Sequence, residues 1–206
     1  MCRLLVALAV LLCADASADN WVNEHSVHRT PKLTGEGDKS CLRCHSGEAM
    51  RAIAQSVHGN RENPNTPLAK HGCETCHGPG SIHVSRAHGG RGFPPLTEFG
   101  RSPRAAPREK QLQACLFCHD HAGTGKKTIV FIGSAHDRGP ISCSTCHLAH
   151  VAMDPMKDRV QQQETCFRCH RKVKEDHPQV RNRDVNFDRI SCGACHKVHK
   201  PKAEAP

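Results

Sequence analysis

Cys41-Leu42-Arg43-Cys44-His45 opens a pattern that recurs five more times along the chain. The later copies are Cys73-Glu74-Thr75-Cys76-His77, Cys115-Leu116-Phe117-Cys118-His119, Cys143-Ser144-Thr145-Cys146-His147, Cys166-Phe167-Arg168-Cys169-His170 and Cys192-Gly193-Ala194-Cys195-His196. C-x-x-C-H is the signature of c-type haem attachment. Two thiols three positions apart reach the two vinyl groups on one edge of a porphyrin and add as thioethers. The histidine after the second cysteine then lies under the iron as its proximal ligand. The alternative is three zinc sites, each made of two C-x-x-C pairs. It leaves unexplained why a histidine follows every pair, and why the six copies use every cysteine beyond residue 13.

Composition agrees with this reading. Of the 206 residues 37% are hydrophobic and 3% aromatic, with no tyrosine, little for an ordinary apolar core. Six haems would supply that core as flat apolar bodies, with roughly thirty residues to wrap each one. The expected fold class is therefore a multihaem cytochrome c. It would have few short α-helices, long loops wrapped around a chain of six haems, and little or no β-sheet.

The formal charge of +9 resembles a nucleic-acid signal. Each haem, however, brings two propionates, and six haems carry enough negative charge to offset it. The excess Lys and Arg read as propionate partners and solvated surface. Aromatic side chains for stacking on single strands are nearly absent, so no nucleic-acid partner is expected.

Residues 1–18 read as a secretory signal. Arg3 is the positive region, Leu4 to Leu12 the apolar region, and Ala16-Ser17-Ala18 the cleavage site, which makes Asp19 the expected mature start. A lipid anchor on Cys13 is the alternative, disfavoured by Leu12 where a small residue is wanted. No apolar run reaches spanning length. The expectation is an exported, periplasmic protein with no membrane span of its own.

The rest divides into three two-haem modules. Residues 19–40 form a polar segment, 41–88 module one, and 89–110 a Gly/Pro/Arg-rich linker. Module two is 111–153, module three 154–199, and 200–206 a polar tail. In each module a histidine lies between the two haem motifs: His58, His136 and His177. Another follows the second motif: His83, His150 and His199. Helices are expected from Lys110 to Cys118 and from Met156 to Cys166, the latter after a turn at Asp154-Pro155.

The chain contains seventeen histidines. His45, His77, His119, His147, His170 and His196 are the proximal candidates, and His58, His83, His136, His150, His177 and His199 the distal ones. His150 and His199 sit three positions past a proximal histidine, on that haem's own proximal side. They are expected to cross to the distal face of another haem. His28 is a substitute candidate, sharing the Ser-Val-His string of His58. His25, His71, His88 and His121 read as surface or propionate partners. Met50, Met153 and Met156 do not repeat by module, which disfavours them as axial ligands.

The segments "CLRCH…SVHG…HGCETCHGPGSIH" and "SAHDRGPISCSTCHLAHVAMDP" resemble the MtrA/DmsE-type periplasmic multihaem cytochromes over residues 41–199. "CHGPG" and "CHxxHVAxDP" are the most specific parts. That family usually carries ten haem motifs where this chain has six. The resemblance implies covalently bound haem c and electron transfer without substrate chemistry. It implies redox-protein partners: a quinol-oxidising donor, and an outer-membrane porin or a terminal reductase. The competing class is a reductase of a small nitrogen or sulfur oxyanion. Such an enzyme needs one iron with an open position, whereas twelve histidines suffice to close all six.

Overall fold

The computed structural model describes residues 30–86, 96–120 and 131–199. The signal segment, His25, His28, His88, His121 and the tail lie outside the described residues. The described residues from Pro31 onward belong to one compact unit.

Helices are short and regular strands are absent among the described residues. In chain order the α-helices are α1 (Asp38–Leu42), α2 (Glu48–Ala52), α3 (Pro67–Lys70), α4 (Glu74–His77), α5 (Ser81–Arg86), α6 (Arg108–His119), α7 (Arg159–Phe167) and α8 (Val173–Asp176). Single 3₁₀ turns occupy Ile53–Gln55, Cys143–Thr145, Pro155–Lys157 and Cys192–Ala194. An isolated antiparallel bridge joins Val180 and Arg183. This is the architecture expected of a multihaem cytochrome c.

The two expected helices form, with shifted ends. α6 starts at Arg108, after Pro107, and carries Cys115, Cys118 and His119 on its last turns. The second is interrupted. Asp158 adopts an extended backbone (φ −95°, ψ 131°), and its side chain accepts from the Gln161 N–H as the N-cap of α7. A capping aspartate stabilises a helix start by roughly 0.5–2 kcal/mol. The stretch from Met156 is therefore a 3₁₀ turn, a break and a helix.

Every C-x-x-C-H motif closes one helical turn. The histidine N–H donates to the carbonyl of the first cysteine at 2.9 Å in His45, His147, His170 and His196, and at 3.0 Å in His77. His119 closes the sixth turn inside α6. Residues three and four apart share a helix face, so each turn presents two sulfurs and an imidazole on one side.

The polypeptide buries few apolar side chains. Leu68, Leu112 and Phe131 are the buried hydrophobics among the described residues, while Ser40, Thr66, Glu74, Gln111, Ser134, Ser142 and Gln163 are buried polar ones. Three of these polar residues tie separate stretches of the chain together. The Glu74 carboxylate accepts from the Thr34 N–H and hydroxyl and from the Gly80 N–H. The Gln111 side chain donates to the carbonyls of Gly100 and Ala106, and accepts from the Gly100 N–H and the hydroxyls of Ser142 and Ser144. That set joins α6 to the second haem turn of module two. Gln163 does the same in module three, donating to the carbonyls of Phe187 and Ile190. Arg108 adds an ion pair with Asp137 and a hydrogen bond to the Ile141 carbonyl. Large apolar residues such as Leu42, Phe117, Leu148 and Val198 are left exposed on the polypeptide, available to pack on haem faces.

Candidate haem-binding sites

The proximal candidates each face one distal candidate across a narrow gap. His45 stands opposite His83 at 6.4 Å between ring centres, His77 opposite His150 at 6.0 Å, and His119 opposite His58 at 6.1 Å. His147 stands opposite His199 at 5.8 Å, His170 opposite His136 at 6.1 Å, and His196 opposite His177 at 6.1 Å. All twelve candidates are used, and each once.

The separation fits a metal between the rings. A metal–imidazole nitrogen bond is about 2.0 Å, and the ring centre lies roughly 1 Å behind the nitrogen. Two such reaches span about 6 Å. Among the described residues no three or more His, Cys, Asp or Glu side chains gather as a bare ion would require. Opposed pairs beside thiol pairs suit a planar macrocycle instead.

Electrostatics favour the ligand form of the rings. Burial holds His77, His136 and His199 below the usual histidine range, and the facing histidine of each pair adds to the effect. A neutral imidazole keeps the lone pair that a metal takes. The Nδ1 atoms of His136 and His150 are buried without a hydrogen-bond partner. Buried orphan nitrogens are rare and call for a reason. Rings fixed in place by a bond at their other nitrogen supply one.

The sulfurs follow their own order. Cys41 and Cys73, Cys115 and Cys143, and Cys166 and Cys192 lie within hydrogen-bonding reach of each other. These are the first cysteines of the two motifs in each module. Between modules the second cysteines approach: Cys118 acts on Cys76, and Cys169 on Cys146. The first cysteines of the two motifs in each module are thus in direct reach of each other, while the second cysteines sense each other only through charge. Burial, followed by the neighbouring sulfur, pushes the thiols of Cys41 and Cys166 up to about 12. Such crowding suits neutral sulfur, as in a thioether, and not a pair of thiolates.

The crossing histidines reach farther than the adjacent site. His150, after the fourth motif, faces the second motif's His77, and His199, after the sixth, faces the fourth motif's His147. His58 and His136 reach forward, to the first motif of the following module. His71 has no role of this kind; its backbone N–H donates to the Thr75 hydroxyl.

Two hydrogen bonds to proximal rings escaped the sequence reading. His77 Nδ1 meets the Thr97 carbonyl at 2.8 Å. His147 Nδ1 meets Asp154 Oδ2 at 2.5 Å. The Asp-Pro pair was legible as a turn, but nothing in its spacing marks Asp154 as an imidazole partner.

Comparison with known proteins finds multihaem cytochromes. Residues 135–205 match the family model described as cytochrome c3, and residues 13–78 the model described as cytochrome c554 and c-prime. The chain is 32% identical over 165 residues to the multiheme cytochrome MtrA of Shewanella baltica, covering 80% of this chain and 46% of that protein. The chain thus spans about half the length of the curated relative it matches. No helix among the described residues is long and apolar enough to cross a membrane.

Proposed function

We propose that this chain, a multihaem c-type cytochrome similar to MtrA, is an exported hexahaem electron carrier in which all six irons are closed by two histidines. The observation that supports this most directly is the set of six opposed imidazole pairs, one per C-x-x-C-H motif. Haem supplies a one-electron ferric/ferrous couple whose potential follows axial ligand, hydrogen bonding and burial.

The residues of the chain have three tasks in this reading. The twelve cysteines anchor the groups covalently. The proximal and distal histidines close both axial positions, which denies substrate access to the metal and favours carriage over reduction of an oxyanion. The first-cysteine contacts within each module and the histidine pairs that cross between modules keep each site near its sequence neighbour, so electrons pass in the order of the motifs. The domain scheme is three two-haem modules, residues 41–88, 111–153 and 154–199. The partners are redox proteins: a quinol-oxidising donor, and an outer-membrane porin or terminal reductase as acceptor. The location is periplasmic, with Asp19 as the mature start.

Intact mass and electron paramagnetic resonance of the oxidised protein test the core of this reading. The mass should exceed that of the polypeptide by six haems, and the spectrum should be low-spin throughout. A stoichiometric high-spin haem that binds nitrite or hydroxylamine would transfer the protein to the reductase class.

A further inference from the structure

Modules one and two place different groups behind the proximal imidazole of their second haem site. In module one the His77 Nδ1–H donates to the neutral carbonyl of Thr97. In module two the His147 Nδ1–H donates to the carboxylate of Asp154 at 2.5 Å. Asp154 is fixed in that role by its other oxygen. Oδ1 accepts from the Met156 N–H at 3.0 Å, as the N-cap of the Pro155–Lys157 turn. One oxygen shapes the backbone while the other holds the imidazole.

We propose that Asp154 is a positioning and tuning residue that makes the haem site at Cys143 and Cys146 the lower-potential member of the two module-equivalent sites. This rests on the hexahaem bis-histidine reading above. A carboxylate that accepts from the far nitrogen of a ligating histidine fixes the ring and raises its basicity. A more basic axial imidazole donates more charge to the metal and favours the ferric state. The Thr97 carbonyl is a dipole without net charge and does this less. Asp154 therefore places a step at the fourth of six sites, near the middle of the relay, where an electron arriving from either side is held less tightly.

The test uses the full haem-loaded protein. Asp154→Asn keeps a capping side chain and removes the charge. Asp154→Ser keeps a hydroxyl able to cap the turn but is too short for His147. Asp158→Ala removes a cap one turn on that touches no imidazole. Potentiometric titration followed by electron paramagnetic resonance reads each haem's ferric fraction. Both Asp154 variants should keep six low-spin haems. One of the six should become at least tenfold easier to reduce, which is about 59 mV for a one-electron couple. The moving signal should be one of the two from near-parallel ring pairs, because His147 and His199 are inclined by 29°. Asp158→Ala should leave every potential in place. Unmoved potentials in both Asp154 variants, with six low-spin haems intact, would refute the tuning role alone. A wild-type protein lacking six low-spin haems would overturn it together with the reading beneath it, and haem stoichiometry separates the two failures.

Discussion

Replacing His150 by Ala isolates the cross-module ligation in one side chain. The His150 ring lies 6.0 Å from that of His77 and belongs to a different module. The variant should retain all six haems, since no cysteine is touched, and one iron in six should turn high-spin. That iron should be the one carried by Cys73 and Cys76, although His150 follows Cys143 and Cys146 in sequence. The change also removes a link between positions 77 and 150, a loop of 73 residues. Chain-entropy arithmetic for a cross-link of that span gives about 4 kcal/mol. This is a ceiling, because His58 opposite His119 bridges the same two modules and remains. At roughly 2–4 °C per kcal/mol for a chain of this size, Tm should fall by no more than on the order of 10 °C. Electron paramagnetic resonance of the oxidised variant measures the spin change. Combining His150→Ala with Cys73→Ala and Cys76→Ala should abolish the high-spin signal; combining it with Cys143→Ala and Cys146→Ala should not. The reverse pattern would refute the pairing.

Ring orientation makes a second expectation. Near-parallel axial imidazoles split the iron d orbitals and give rhombic spectra, whereas near-perpendicular ones leave them close in energy and give large-gmax signals. His45–His83 and His147–His199 are inclined by 28° and 29°, and the other four pairs by 78° to 86°; two rhombic and four large-gmax components should appear, and a different ratio counts against these orientations. His136→Ala should open the iron at Cys166 and Cys169 and leave that at Cys143 and Cys146 low-spin, as the same double-variant logic can establish. Gln111→Leu should lower stability by roughly 1–3 kcal/mol, measured by denaturant titration, because it strips partners from buried polar groups. Gly-Ser residues inserted after Gly90 should leave spin states and potentials unchanged, since paired histidines rather than the connecting segment hold modules one and two together.

What the sequence revealed depended on how far each constraint reaches. The six C-x-x-C-H motifs are legible because one helical turn confines Cys, Cys and His to five consecutive residues. The histidines that stand opposite the motif histidines recur by module in the sequence, but which ring each one faces is not visible there. His58 meets a ring 61 positions later and His150 one 73 positions earlier, and no local spacing encodes contacts of that range. The break before α7 was concealed for the opposite reason. Met156 to Cys166 has helix-forming composition throughout, and only the capping geometry of Asp158 shows where the helix starts. Nothing in the sequence marks Glu74, Gln111 and Gln163 as buried, because polar side chains usually lie at the surface. Their burial follows from a chain with little apolar core of its own, in which hydrogen-bonded side chains fasten the loops.

The pairs also account for how a chain with so few apolar contacts can keep its sites in register. At the junction of modules one and two, His58 reaches forward to the His119 site and His150 reaches back to the His77 site. At the next junction His136 reaches forward to His170 and His199 back to His147. Two histidines left over by this exchange serve within their own modules, His83 opposite His45 and His177 opposite His196. A single crossing bond would leave a junction free to pivot about it. Two crossing bonds in opposite directions would remove that pivot. Metal–nitrogen bonds tolerate only small changes in length, so a junction held this way would keep its inter-site spacing. Under the proposed function that spacing is the quantity the polypeptide has to hold constant, because electrons would pass between neighbouring sites.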